Sequence, residues 1–145
     1  MGAWVDATGT EHGYSYIGNT FAVIDFPLSK GTEALGINKF GVIVGDWTDA
    51  SSKAHGYILN NGQFTSLDFP GAVSTIAFGV NDAGVVAGYY TDASNNQHGF
   101  LYQKSYSTVD VAGAANTLLV RINNNNQICG AYIDSKSEEH GLIGR

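Results

Sequence analysis

The chain has 145 residues, enough for one domain with a hydrophobic core or for one segment of a larger repeat assembly. Hydrophobic residues make up 43% of it, and 19 glycines with only two prolines favour many short strands joined by tight turns. The net charge is -6 and basic residues form no cluster, which argues against nucleic acid and anionic membranes as partners. No segment is apolar for long enough to predict membrane insertion.

A unit of about 43 residues recurs along the whole chain. The four histidines are 43, 43 and 42 residues apart, each is followed by glycine, and each is preceded six residues earlier by an aspartate. An aromatic residue stands two places before each aspartate. The pairs are Asp6 and His12, Asp49 and His55, Asp92 and His98, and Asp134 and His140, and the aromatics are Trp4, Trp47, Tyr90 and Tyr132. The chain therefore reads as a single repeat domain over residues 1–145, with units at about 1–40, 41–83 and 84–126 and a partial unit at 127–145.

Each unit contains four predicted strands. In the second unit they read, in chain order, "GVIVGDW", "HGYIL", "QFTSLD" and "TIAFGVN", separated by segments rich in Asp, Asn, Ser and Gly. The first and fourth strands are apolar on both alternating faces, so both of their faces should be covered. This pattern predicts an all-β fold of four-stranded antiparallel blades in a β-propeller-type array. A three-fold β-trefoil or β-prism is the alternative.

The number of predicted strands is about fourteen, or three and a half blades, which leaves open sheet edges. We therefore expect the chain to form a homo-oligomer or to belong to a longer repeat array. Cys129 cannot form an internal disulfide because it is the only cysteine, and it is expected to be a small buried side chain.

The sequence resembles the HAF-type repeats of bacterial, extracellular proteins. "GINKFGVIVGDW" and "GVNDAGVVAGYY" are similar to the Gly-Ile-Asn and Val-Val-Gly half of that repeat, and "HGY" and "HGF" stand where His-Ala-Phe would. The chain departs from the pattern in having glycine in place of that alanine, and an Asp-Phe-Pro segment after the third strand. The resemblance implies a propeller-like array and secretion or display at the cell surface, although no signal peptide is visible in this chain. It implies no particular activity.

The spacing of each aspartate and histidine allows them to meet across a hairpin loop. Carboxylate and imidazole are both metal ligands, but the loops offer no constant third ligand, so metal binding remains an open alternative. The favoured interpretation is structural: the aspartate accepts backbone N–H bonds within its turn, and the histidine binds that aspartate or a carbonyl group. A hydrolase using one pair in a pocket at the propeller axis is a further alternative, although four equivalent pairs are unusual for an enzyme. No cofactor is expected.

The four aromatic residues beside the aspartates suggest a ligand site. An indole or phenol ring can stack on a sugar, and one shallow site per repeat would gain avidity for a polymeric glycan. The alternative is that these rings pack between blades. The sequence thus predicts a binding or scaffold protein, with a glycan as the candidate ligand, and favours a protein that is not an enzyme.

Two further repeated positions concern the backbone. Asn38, Asn81 and Asn123 precede the first strand of a unit and are predicted to adopt left-handed turn geometry. Gly45, Gly88 and Gly130 lie inside the first strand, where they predict a bulge or a close backbone approach to a neighbouring blade.

Overall fold

The computed structural model describes residues 1–145 and contains fourteen β-strands and no helix. The strands are β1 Gly2–Val5, β2 Glu11–Ile17, β3 Thr20–Ile24, β4 Gly31–Ile37, β5 Ile43–Thr48, β6 Ala54–Asn60, β7 Gln63–Leu67, β8 Ser74–Val80, β9 Val86–Thr91, β10 Gln97–Tyr102, β11 Tyr106–Val109, β12 Asn116–Ile122, β13 Ile128–Ile133 and β14 Glu139–Gly144. The prediction of an all-β fold is confirmed. No helix is present that could span a membrane.

The strands form antiparallel groups of three or four in chain order. Strands β4 to β7 follow one another in one group and β8 to β11 in the next, while β1 to β3 and β12 to β14 form groups of three. One parallel pair, Glu11 with Gly31, joins the first group to the second, so that together they count as one seven-stranded sheet. The molecule thus has several sheets, none of which closes into a barrel.

The sheet groups are shifted in phase from the repeat units of the sequence. Strand β8 closes the unit at 41–83, yet it pairs with β9 of the following unit. Strand β4 pairs with β5 in the same way. Consequently the first group lacks the strand equivalent to β4, and the last group lacks the strand equivalent to β7.

The core lies between consecutive groups of strands. In the largest cluster, Val44 and Leu67 of the second group pack against four buried residues of the third. Those four are Ala77, Val80, Val86 and Phe100. Tyr57 lies on the opposite face of the second group, where it packs with Ile24 of the first. The second group is therefore covered on both faces, as its doubly apolar strands predict.

The strand glycines face β-bulges, as the sequence predicts. The register of β8 against β9 shifts between Ala77 and Gly79, and a Cβ atom on Gly88 would collide with the carbonyl oxygen of Ile76. The other two sheets with this strand pair have the same shift and the same collision. The bulge brings a carbonyl into the space of a side chain, which explains why glycine recurs there.

The prediction for the asparagines is wrong. The positive φ angles occur three residues later in each turn, at Gly41, Gly84 and Asn126, and not at Asn38 or Asn81. The asparagines instead connect successive groups of strands. Nδ2 of Asn38 donates to the Asn81 carbonyl at 3.0 Å, and Nδ2 of Asn81 donates to the Asn123 carbonyl at 3.2 Å. A carboxamide suits this position because it can donate across the interface while it accepts bonds from its own turn.

The prediction for Cys129 is also wrong, because this side chain is exposed. Its repeat equivalents, Val44 and Ala87, are fully buried. The difference arises from position: a further group of strands covers Val44 and Ala87, whereas nothing covers this face of the last group.

The glycine after each histidine provides a test of packing between groups. A Cβ atom on Gly99 would lie 2.5 Å from the Val109 carbonyl oxygen and 2.9 Å from Cγ of Leu119, whereas nothing lies within 4 Å at the equivalent Gly141. We therefore expect Gly99→Ala to lower the free energy of unfolding by about 1–3 kcal/mol through overpacking. Gly141→Ala, the matched control, should change it by less than about 0.5 kcal/mol. Urea unfolding of both variants tests this, and an equal effect at the two positions would contradict the packing described.

Candidate functional site

Each repeated aspartate organises the loop between two strands. Oδ1 of Asp49 accepts hydrogen bonds from the backbone N–H groups of Ser51 at 2.8 Å and Lys53 at 2.9 Å. Its Oδ2 lies 3.3 Å from Nε2 of His55, on the next strand. The other three units repeat this geometry, with distances between histidine Nε2 and aspartate Oδ2 of 3.3 or 3.4 Å. The structure thus brings all four predicted pairs together.

A second carboxylate, which the sequence analysis did not connect to the histidine, completes the site. Nδ1 of His55 lies 2.6 Å from Oδ1 of Asp68, because β6 and β7 pair in antiparallel register with Gly56 opposite Leu67. The same contact joins His12 to Asp25 at 3.0 Å and His98 to Asp110 at 2.8 Å. The sequence signal was the nearly constant spacing between each histidine and this aspartate, which is 13 residues in the first two units and 12 in the third. His140 has no such partner within the chain.

In the first and third units the two carboxylates favour the protonated form of the imidazole between them, that of His12 or His98. An ionised carboxylate only accepts hydrogen bonds, so both ring nitrogens can donate only when the ring is an imidazolium. The hydrogen bond to Asp110 is the main cause that raises the pKa of His98, and Asp25 does the same for His12. Loop hydrogen bonds, first among them the one from Ser51, hold the pKa of Asp49 well below its usual range.

An aromatic ring stacks on every histidine. The ring centroids of Trp47 and His55 are 4.5 Å apart, and the opposite face of the indole stacks on Phe26 at 4.2 Å with an interplanar angle of 1°. Tyr90 is enclosed in the same way between His98 at 5.1 Å and Phe69 at 3.7 Å. Neither face of these two rings is free to stack on a sugar.

The outer two aromatics lack the second ring. Trp4 stacks on His12 at 4.8 Å but has no aromatic partner on its other side, and it is 45% exposed. Tyr132 stacks on His140 at 4.9 Å, and Val111 stands where the other units have phenylalanine. Of the four predicted ligand-binding rings, Trp4 is the one with a large open surface.

The loop serines contact the aspartates rather than the histidines. Oγ of Ser51 donates to Asp49 at 2.7 Å. Ser94, its equivalent, contacts Asp92 through its backbone N–H. A serine nucleophile would have to donate to the histidine. The Asp-His pairs are therefore arranged as loop clasps, and the hydrolase hypothesis finds no nucleophile beside them.

One group of three metal-ligating side chains occurs, in the fourth unit. Ligand atoms of Asp134, Glu138 and His140 all lie within 4.8 Å of one another. The two acidic side chains belong to an exposed loop, and Lys53 and Asn96 occupy the position of Glu138 in the two preceding units. The structure therefore offers no repeated metal site.

A cluster of acidic side chains that does not recur in the other repeats lies beside the repeated site. Glu33 on β4 stands opposite Asp46 on β5, with Glu11 nearby, whereas the third group of strands has Ile76 and Tyr89 at the first two positions. Burial, followed by the charges of Glu33 and Glu11, raises the pKa of Asp46 to about 7. The signal in the sequence was the presence of Glu33 and Asp46 at two positions where the following repeat has Ile76 and Tyr89.

Comparison with models of known protein families gives no match, and no curated protein matches the chain. The resemblance to HAF-type repeats therefore stays a prediction.

The clasp predicts a pH dependence of stability. Because its raised pKa lies above that of the unfolded chain, His98 contributes stability that is fully present below about pH 6.5 and lost as the pH rises through the folded pKa. We expect His98→Gln to flatten the fall of the unfolding free energy that begins as the pH rises above about 6.5. Asp110→Asn should act in the same direction, since it removes the main cause of the shift. Urea unfolding at several pH values tests this, and unchanged slopes in both variants would contradict it.

The cluster of acidic side chains around Asp46 predicts that replacing this residue by asparagine stabilises the protein. The raised pKa of Asp46 means that wild-type stability falls as the pH rises from about 4 through 7, because the unfolded chain releases this proton first. Asp46→Asn mimics the neutral acid, so we expect it to raise the unfolding free energy at pH 8 by about 1–3 kcal/mol and much less at pH 5. The control is Asp82→Asn, which removes an ion pair with Lys39 and should not stabilise. Equal destabilisation by Asp46→Asn at both pH values would contradict this interpretation.

Proposed function

We propose that the chain is a section of a β-propeller-type array and acts as a scaffold that joins further repeat units. The observation that carries this proposal is the use made of the repeated side chains. In the second and third groups of strands the histidine binds two aspartates and stacks on an aromatic ring, and a phenylalanine from the preceding connecting segment stacks on that ring. Residues used in this way support stacking of sheets rather than catalysis. The HAF-type resemblance adds secretion or surface display to the proposal.

The two end groups support an assembly role because each has an uncovered apolar face. At the start of the chain Phe21 is 68% exposed, although its equivalent Phe64 packs into the core. At the end Ile143 is 84% exposed, beside the exposed Cys129. Apolar side chains that are exposed in these end groups, at positions that are covered in the inner groups of strands, mark an interaction surface.

A glycan ligand is the second candidate function, and it depends on one observation. The free face of Trp4 is the remaining repeated ring surface on which a sugar could stack. The surface around that ring is apolar, formed by Tyr14, Phe21, Ala22 and Val23, whereas a sugar also needs hydrogen-bonding groups. This chemistry fits an apolar side chain better than a sugar.

The scaffold proposal predicts self-association. Sedimentation equilibrium at increasing concentration should give a mass above the 15.3 kDa of one chain, since both apolar end faces are open. Phe21→Glu and Ile143→Glu should each lower the mass, whereas Val73→Glu, an exposed apolar position away from both end faces, should not. A mass of 15.3 kDa at every concentration up to about 100 µM, together with no binding of a separate segment of the same repeat type, would contradict the proposal.

A further inference from the structure

A phenylalanine inserts from one group of strands into an aromatic socket on the next. Phe26 lies 4.2 Å from Trp47, 6.4 Å from Tyr57 and 5.1 Å from Phe64, measured between ring centroids. One unit later the insertion is repeated, with Phe69 at 3.7, 6.3 and 5.1 Å from the three rings of the following socket. Those rings are Tyr90, Phe100 and Tyr106. The contact is thus a built and recurring element of the fold.

The segment that carries this phenylalanine fastens both neighbours. Asp68, directly before it, binds His55 of the preceding group, while the backbone N–H of Phe69 donates to Oγ1 of Thr75 at 3.0 Å. Thr75 belongs to β8, which continues the segment and pairs with β9 of the following group. The Asp-Phe-Pro segment and its strand therefore act as one connector.

The first group of strands has the same socket, and no phenylalanine enters it. Trp4, Tyr14 and Phe21 occupy the positions of Trp47, Tyr57 and Phe64. They line an open cavity of about 450 Å³ together with Ala22 and Val23. The adjacent edge of β1 is also open, since this strand pairs with β2 alone.

We propose that this socket binds an Asp-Phe-Pro segment presented by a partner polypeptide of the same repeat type. The two internal copies define the chemistry of the occupant: a phenylalanine for the socket, followed by an extended strand for the open edge of β1. A second copy of this chain is a poorer occupant, because its own Phe26 and Phe69 already fill its internal sockets. The inference rests on the proposed scaffold function and names the partner that the scaffold binds.

The other end of the chain fits the same connector. His140 has no carboxylate at Nδ1, where the other three histidines bind the aspartate of the connector or of its equivalent. Gly141 has open space where Gly99 contacts β11 and Leu119. The third strand of a partner unit and the aspartate that follows it would occupy these two positions. The partner therefore fits the last group of strands with its third strand and aspartate, and the first group with its phenylalanine and the strand that follows.

Binding of a synthetic peptide tests the proposal on the intact chain. The peptide has the sequence of residues 65–80, "TSLDFPGAVSTIAFGV", and contains no tryptophan. In a Trp47→Phe background, Trp4 is the sole tryptophan and reports on the socket through its fluorescence. We expect a saturable change in emission, weakened at least about tenfold when the peptide carries Phe69→Ala.

Matched variants locate the binding. Phe21→Ser should weaken binding of the peptide by a similar factor. Val73→Ser, a substitution of an exposed residue outside the socket, should leave the affinity for the peptide unchanged. Because Phe21 is largely exposed, its variant should keep the wild-type melting temperature, which circular dichroism verifies. In sedimentation equilibrium, the peptide should also lower the mass of any self-associated form, because it competes for the uncovered face of the first group of strands.

Three results of the fluorescence experiment would overturn the proposal. They are no fluorescence change up to about 1 mM peptide, equal binding of the Phe69→Ala peptide, or quenching of Trp4 by a polymeric glycan without any effect of the peptide. If the chain self-associates and the peptide does not reduce its mass, the socket of the first group binds a second copy rather than the peptide. In that case the scaffold proposal would stand while this partner would be wrong. A strictly monomeric chain that binds the peptide would support this partner and contradict self-association.

Discussion

Each sheet in the middle of this protein has apolar side chains on both faces and needs a neighbour on each side. Val44 and Tyr57 are fully buried on opposite faces of the same group of strands, the first against the following group and the second against the preceding one. A sheet buried on both faces cannot form a stable unit alone. The remaining features of the repeat fix the distance, register and order of these sheets.

The Asp-His-Asp clasp and the aromatic column form one continuous device. Asp49 shapes the loop, His55 connects it to Asp68, and Asp68 positions the phenylalanine that follows it against the next sheet. In the first and third units, where the carboxylates raise the pKa of His12 and His98, the ring stacked on the imidazolium adds to its stability, since a cation over an aromatic face is attracted to it. Histidine suits this place because it can bind two carboxylates and stack at the same time. The Asp-His-Asp clasp is complete in three copies and the aromatic column in two, which is consistent with a structural role that repeats along the chain.

Periodicity in the sequence was sufficient to predict the strands, the Asp-His pairs and the bulge glycines, since each depends on local spacing. Three features depend on which strands become neighbours and were not predictable in this way. Asn81 was assigned to turn geometry because its bond to Asn123 spans 42 residues. Cys129 was expected to be buried because its equivalents are, and its exposure follows from its place in the last group. Tyr57, whose hydroxyl group is buried without a partner, appears in the sequence as an ordinary strand aromatic.

The central claim is that an Asp-Phe-Pro connector makes a sheet of this repeat stable by filling its aromatic socket. Hydrogen exchange on a chain extended by a copy of residues 63–86 before Met1 tests it most directly, because the added phenylalanine is then placed in phase with Trp4. The amides of β1 to β3 should gain protection approaching that of β5 to β7. This gain should disappear when the phenylalanine that corresponds to Phe69 in the added segment is replaced by alanine. If β1 to β3 exchange at the same rate with either extension, the socket does not bind the connector and the claim is wrong.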